Sequence, residues 1–157
     1  MASVKVKVNS SMAKELLKRM RRLTNKEVHA GFFDSEPHDG PRSDGFTIPE
    51  LAIQNEYGNY KLKIPSRPFM SESVGDKQKI LSILKSVKLS LLRDPINALK
   101  VVGSKMEQAI KDSIISGDWE PNRPSTIKKK GSSSPLIDTG QLSESASNRV
   151  ETKGRNK

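Results

Sequence analysis

Few side chains in this chain could do covalent or metal chemistry, and their spacing favours none of it. There are two histidines and no cysteine, which removes thiol nucleophiles, disulfides and thiolate metal sites. His29 falls inside an alternating apolar segment. His38 stands among Asp34, Glu36, Asp39 and Asp44, groups that offer oxygen and imidazole ligands to a divalent ion. The glycine and the distal glutamate of a calcium loop are out of position, however. A solvated acidic loop is the plainer reading, and no metal or cofactor is expected. Glu50 or Glu56 followed by Lys61 and Lys63 has the residue types of a metal-dependent nuclease, a combination that charged sequences produce by chance. Neither Gly31 nor Gly103 belongs to a phosphate-cradling pattern. Lacking a nucleophile with a base in reach, the chain reads as a protein that is not an enzyme.

What remains is charge, and its distribution is uneven. The 157 residues carry a net charge of +10. Residues 1–33 hold eight Lys/Arg against two Glu, residues 34–58 six Asp/Glu against Arg42, and residues 120–157 eight Lys/Arg against four acids. Opposed blocks on one chain can form complementary patches between identical subunits, as a head-to-tail ring requires. The alternative is that these are solvated faces. Arg19, Arg21, Arg22 and the run Lys128-Lys129-Lys130 are the candidate contacts to nucleic-acid phosphates. No aromatic residue is interleaved with those runs, so non-specific contact is expected rather than base reading.

Composition bounds the elements that must position these groups. Apolar residues make up 33 % and aromatics 4 % of the chain, enough for one domain with a modest aliphatic core. No run of about 18 apolar residues is present, so no membrane span is expected. Residues 1–5 lack the apolar stretch of a secretory leader, and none is expected.

Alternation of Val4, Val6 and Val8 with lysines predicts a strand, and Val28, Ala30 and Phe32 predict another over Lys26–Phe33. Between them Ser10 or Ser11 can cap a helix whose stripe is Met12, Leu16, Met20 and Leu23. Residues 34–46, rich in Pro, Gly and acids, predict a mobile loop. Thr47-Ile48-Pro49-Glu50 is a capping-box start for a helix that runs to about Tyr57 and stops at Gly58. A connector over 59–68 leads to two stripes. The first is Ile80, Leu84, Val87 and Leu91, with Leu81 beside it; the second is Leu99, Val102, Met106, Ala109 and Ile110. Asp94-Pro95 between them predicts either two helices or one kinked helix. Lys128–Lys130 and Ser132–Ser134 read as an exposed turn or flexible arm, residues 140–147 as a short helix, and Arg149–Lys157 as frayed.

Three runs stand out in order along the chain: Asn55-Glu56-Tyr57-Gly58, Pro65-Ser66-Arg67-Pro68-Phe69, and Leu136-Ile137-Asp138-Thr139-Gly140-Gln141-Leu142. With Trp119, Pro121 and the Thr126–Lys130 segment between the last two, this set resembles the neck or tail-completion proteins of tailed bacteriophages. The resemblance covers roughly residues 28–147. The long 34–46 loop and the short charged end after Leu142 depart from the pattern. Each run also has a plain physical reading. Tyr57-Gly58 closes a helix, Pro65 and Pro68 stiffen a linker from which Arg67 projects, and Phe69 anchors the helix that follows. Arg67 would pair with Glu56, or with an acid on a neighbouring subunit.

The resulting expectation is an α+β fold: a small sheet packed with two long amphipathic helices or one kinked helix, extended polar loops and a C-terminal arm. Residues 1–147 form one domain and 148–157 a flexible charged tail. The resemblance implies a virion structural protein at the head–tail junction, in the neck or tail of the particle and in host cytoplasm during assembly. It also implies a homo-oligomeric ring, a hexamer favoured, between head-closure or connector proteins and tail-tube or tail-terminator proteins, with transient DNA contact in the lumen and none with membrane. Glu56, Tyr57, Arg67, Phe69, Thr139 and Leu142 are its candidate interface residues. The alternative function is a small basic protein that binds nucleic acid without sequence preference.

Overall fold

The computed structural model describes residues 10–33 and 46–154. Around a long central helix it builds an α+β fold: α1 (Ser10–Arg21), β1 (Lys26–Gly31), α2 (Ile48–Tyr57), α3 (Phe69–Ser73), α4 (Lys77–Ser86), α5 (Lys88–Arg93), α6 (Pro95–Ser116), α7 (Pro124–Lys130), α8 (Gln141–Glu144) and β2 (Ser147–Thr152). The predicted strand at Val4–Val8 and nearly all of the 34–46 loop lie outside the described residues.

Helix starts follow local chemistry. At α2 the Glu50 carboxylate reaches back to the Thr47 N–H at 2.8 Å and to its hydroxyl at 2.9 Å. These two bonds, the backbone one first, hold the Glu50 carboxyl below its ordinary value. Asp94 accepts the Asn97 N–H at 3.2 Å with Pro95 in the first turn, so the break before α6 is a capped start. The stripe expected from Ile80 to Leu91 is divided at Val87, where φ is −106° and ψ 5°. It forms two short helices, α4 and α5, ahead of the long α6. Val87 is buried, whereas Leu84 and Leu81 are exposed.

The core gathers on α6. Ile110 and Ile114 pack with Ile48 and Ala52 of α2, Phe69 of α3, Trp119, Leu136 and Leu142. Phe69 is fully buried, its ring meeting Phe32 edge-on at 6.1 Å. Trp119 folds back over Gly117, where any Cβ would collide with the indole, and its Nε1–H donates to the Ser113 carbonyl at 2.9 Å.

Two expectations for the C-terminal third are corrected. The Lys128–Lys130 segment is not an arm but the last turn of α7, closed by Gly131 in a left-handed conformation. The tail expected from residue 148 is strand β2 through Thr152, antiparallel to β1 with Val28 opposite Val150 and Lys26 opposite Thr152. The short helix expected over 140–147 shrinks to Gln141–Glu144 as the chain turns into that strand. A two-stranded ribbon is marginal by itself, and both strands lie against α6. Gly103 makes that approach possible: an added Cβ would overlap the Asn148 side chain. One turn further on, Glu107 accepts the Asn148 Nδ2–H at 2.6 Å while holding Lys111 at 2.6 Å.

Two predictions follow from this clamp. Gly103→Ala should cost about 1–3 kcal/mol through overpacking, read by denaturant melting, with hydrogen exchange accelerating first at residues 147–152. The Glu107 carboxyl is held below its usual value, chiefly by the Lys111 ammonium and then by Asn148 against an opposing desolvation effect. Its contribution is therefore intact at neutral pH and fades as pH falls through the lowered folded value. A melting series from neutral to acid pH should lose less stability in Glu107→Gln than in the parent.

Candidate functional site

The three sequence runs line one small cleft, and two buried charged groups hold the first two in place. Arg67, only 5 % exposed, lies on the extended Pro65–Pro68 segment. Its backbone N–H donates to the Asn55 carbonyl at 2.7 Å. Its guanidinium donates from Nε to the Glu120 carbonyl at 2.9 Å, from Nη1 to Asn55 Oδ1 at 3.3 Å and from Nη2 to Asn122 Oδ1 at 3.1 Å. Asn122 in turn donates to the carbonyls of Ser133 and Ser134. One cation thus ties α2, the linker, the loop after α6 and the loop after α7.

Glu56, 6 % exposed, serves the other side of the linker. Its carboxylate accepts the N–H groups of Met70 and Ser71 at 2.8 and 2.9 Å, and the Ser71 hydroxyl as well. Those are orphan donors at the start of α3, which a carboxylate suits both by hydrogen bonding and by charge. The expected Glu56–Arg67 pair is therefore replaced by two separate networks: the acid caps a helix and the base binds amide and carbonyl oxygens. Both networks lie within the subunit and stabilise this fold.

Gly58 links the two. Its φ of +73° favours glycine, and an added Cβ would fall 2.8 Å from the Ser66 nitrogen and 2.9 Å from the Ile64 oxygen. The chain then makes a narrow hairpin, with Asn59 and Ile64 exchanging both backbone hydrogen bonds at 2.9 Å. Asn59 Oδ1 also accepts the Leu62 N–H at 3.1 Å. The third run is a loop pinned at both ends, for Leu136 and Leu142 are buried in the core. Leu136 takes φ +58° while Ile137 N–H bonds to the Pro135 carbonyl. A non-glycine residue in that region is strained, and burial of its side chain holds it there. Gly140, at φ +87°, turns the chain into α8.

Between these parts opens a cleft of about 90 Å³, lined by Leu51, Asn55, Arg67, Thr126, Leu136 and Gln141 among others. Ligand pockets run to about 300 Å³ or more, so this one has room for ordered water and not for an organic substrate. Of the candidate interface residues, Glu56, Arg67, Phe69 and Leu142 are buried within the subunit, whereas Tyr57 (76 % exposed) and Thr139 face solvent. Tyr57 is thus an exposed residue at the end of α2.

The basic candidates fall on two elements. Arg19, Arg21 and Arg22 are at the end of α1, where Arg19 pairs with Glu15 at 3.2 Å and reaches the Arg93 carbonyl of α5. Lys128, Lys129 and Lys130 are on α7, and Lys130 Nζ donates to the Ser134 carbonyl. His29 lies on β1 between Glu27 and Glu151, at 3.6 and 3.8 Å. The His38 group lies outside the described residues. Among the described residues no cluster of His, Asp and Glu has metal-site geometry, and no helix is long and apolar enough to cross a membrane.

Asn55 opens the first run without a role of its own there, and Asn122 stands outside all three runs, its one signal being Pro121-Asn122-Arg123-Pro124, a turn flanked by prolines.

Glu56→Ala should lose about 2–4 kcal/mol, because it strips buried N–H groups of a charged acceptor. Glu56→Gln, which keeps one acceptor oxygen, should lose clearly less; equal losses in chemical denaturation would mean that Glu56 only fills space. Comparison with protein-family models, with curated proteins and with solved structures gave no match.

Proposed function

We propose that this chain is a virion structural protein of a tailed bacteriophage. It acts at the head–tail junction as a neck or tail-completion subunit, without catalysis. The observation that carries this reading is the meeting of the three runs at one small cleft. Asn55 and Arg67 are joined by hydrogen bonds, and Leu136–Leu142, distant in sequence, lines the same cleft, as parts of one shared framework would. Their chemistry is that of a rigid scaffold, whose work is done by surfaces.

Those surfaces are of the kind that neighbours cover. The α1 stripe expected to be buried is largely in water: Met12 is 74 % exposed, with Leu16, Leu17 and Met20 beside it in the helix. On α5, Leu89 is 72 % exposed. Clusters of large apolar side chains at the surface mark interaction sites. Around them Lys14, Lys18, Arg19, Arg21, Lys85 and Lys88 supply positive charge, suited to an acidic neighbouring subunit or partner. The subunit forms a ring, the hexamer being favoured by the symmetry of tails, and docks between head-closure or connector and tail-tube or tail-terminator proteins. It is made in host cytoplasm and ends in the virion. The rival reading, a non-specific nucleic-acid binder, draws on the exposed Arg21, Arg22, Lys128 and Lys129.

Electron microscopy of lysates from the encoding phage with a stop codon in this gene tests the reading. DNA-filled heads beside free, complete tails are expected; empty heads or intact particles would refute it. In native mass spectrometry, Met12→Ser/Leu16→Ser/Leu17→Ser should shift any ring toward monomer while the melting temperature stays within a few degrees.

A further inference from the structure

The surface that best fits a polyanion is not the pair of basic runs singled out in the sequence. It is a groove of about 580 Å³ between the 59–64 hairpin and the loop after α6, walled by Tyr60, Lys61 and Lys63 on one side and Glu120, Pro121 and Arg123 on the other. Tyr60 is 98 % exposed, and the three cations are exposed as well. No ion pair among the described residues engages Lys61, Lys63 or Arg123.

Both walls are fixed before any ligand arrives. The hairpin is closed by the paired Asn59–Ile64 hydrogen bonds, with Lys63 at φ +54° and its N–H on the Tyr60 carbonyl. Gly58 and Ser66 fasten its base, Ser66 Oγ donating to the Glu56 carbonyl at 2.7 Å. The opposite wall hangs on Arg67, which binds the Glu120 carbonyl and the Asn122 side chain. The buried arginine is therefore the strut that sets the width of the groove.

We infer that this groove is a contact surface for the sugar–phosphate backbone of duplex DNA, with Lys61, Lys63 and Arg123 on phosphates and the Tyr60 hydroxyl as a further donor. Lysine, arginine and tyrosine side chains are common partners of phosphate oxygens, and such contacts carry no sequence preference. Lys61 and Lys63 stand in the turn of the hairpin, and Arg123 lines the opposite wall. A groove open at the surface suits a continuous strand of charge better than a small ligand. Tyr60 would serve a protein partner as an anchor too, but beside it the walls hold three cations and only Ile64, Pro65 and Pro121 as other apolar groups, a balance that favours an anionic partner. Arg123 also leads directly into α7, whose exposed Lys128 and Lys129 add cations to the same element. The inference deepens the head–tail reading, on which its setting in a DNA-filled junction rests, and it names residues that the basic runs do not include.

The test is fluorescence anisotropy of a labelled duplex of arbitrary sequence, titrated with the purified chain over a range of salt. Three phosphate contacts predict a slope of log affinity against log salt that is shallower by about 2–3 in Lys61→Glu/Lys63→Glu/Arg123→Glu, with affinity at low salt down about tenfold or more. Tyr60→Phe should weaken binding by less than that triple change. Arg19→Glu/Arg21→Glu/Arg22→Glu should leave most of the affinity in place. The groove side chains are in solvent, so circular dichroism should show unaltered folding of the groove variants. No duplex binding by the parent chain at low salt would overturn the inference. So would an unchanged slope in the groove variant, or loss of binding in the α1 variant alone. These results speak to the groove by itself, whereas the stop-codon experiment speaks to the head–tail reading by itself.

Discussion

Burying a guanidinium is the constraint on which the rest of this structure turns. Removing such a charge from water costs several kcal/mol even after relaxation, unless its donors find acceptors in good geometry. Arg67 has five N–H donors in a fixed fork, and the fold meets them by drawing in segments distant in sequence. The Glu120 carbonyl and Asn122 come from beyond α6 and Asn55 from α2. Glu56 imposes a related demand with the opposite sign, and the start of α3 is brought to it. Because each network fixes a different side of the Pro65–Pro68 linker, that short segment has little freedom left. The apolar core closes around it, with Phe69 at the point where the linker becomes helix.

Much of this was readable before any coordinates, where a local rule has one strong solution. Thr47, Pro49 and Glu50 specify a helix start, and Gly58 a stop. Asp94-Pro95 marks the beginning of α6, and Val28, Ala30 and Phe32 mark a strand. What escaped notice depended on partners far away in sequence. Ser147–Thr152 has only Val150 as a large apolar residue, so nothing local distinguishes it from a frayed end. It becomes a strand because β1 offers a free edge and Gly103 lets it approach α6. Lys128–Lys130 looked like an exposed run of charge, yet Pro124 and Gly131 bracket a helical turn around the buried Thr126. The error over Glu56 and Arg67 had another source. Opposite charges near each other in sequence suggest a pair, but backbone N–H and C=O groups are competing partners that a sequence does not display.

The uncovered residues complete the picture from outside. A helix with a strong apolar stripe normally lays it on the core, and α1 touches the described fold chiefly through α5. A stripe left in water has a free-energy cost for an isolated subunit, and contact with a neighbour relieves it. On the proposed reading this is a component whose stable state is reached in an assembly, a role suited to a site region built from structural hydrogen bonds. The same reasoning separates two surfaces. Apolar residues ringed by cations on α1 and α5 suit protein, while the hairpin groove, where cations outnumber the one aromatic, suits a strand of phosphate.

The pairing of β1 with β2 also bears on how the chain acquires its shape in time. Lys26–Gly31 leaves the ribosome early, but its partner Ser147–Thr152 is made only after α2 through α8. Closing so long a loop carries an entropic penalty, and contacts of this separation slow folding. The framework around Phe69 can form while the strand edge is still unpaired, and such an edge is a template for a second chain. The close seat of Asn148 at Gly103 thus completes a pairing whose two halves are separated by nearly the whole described fold.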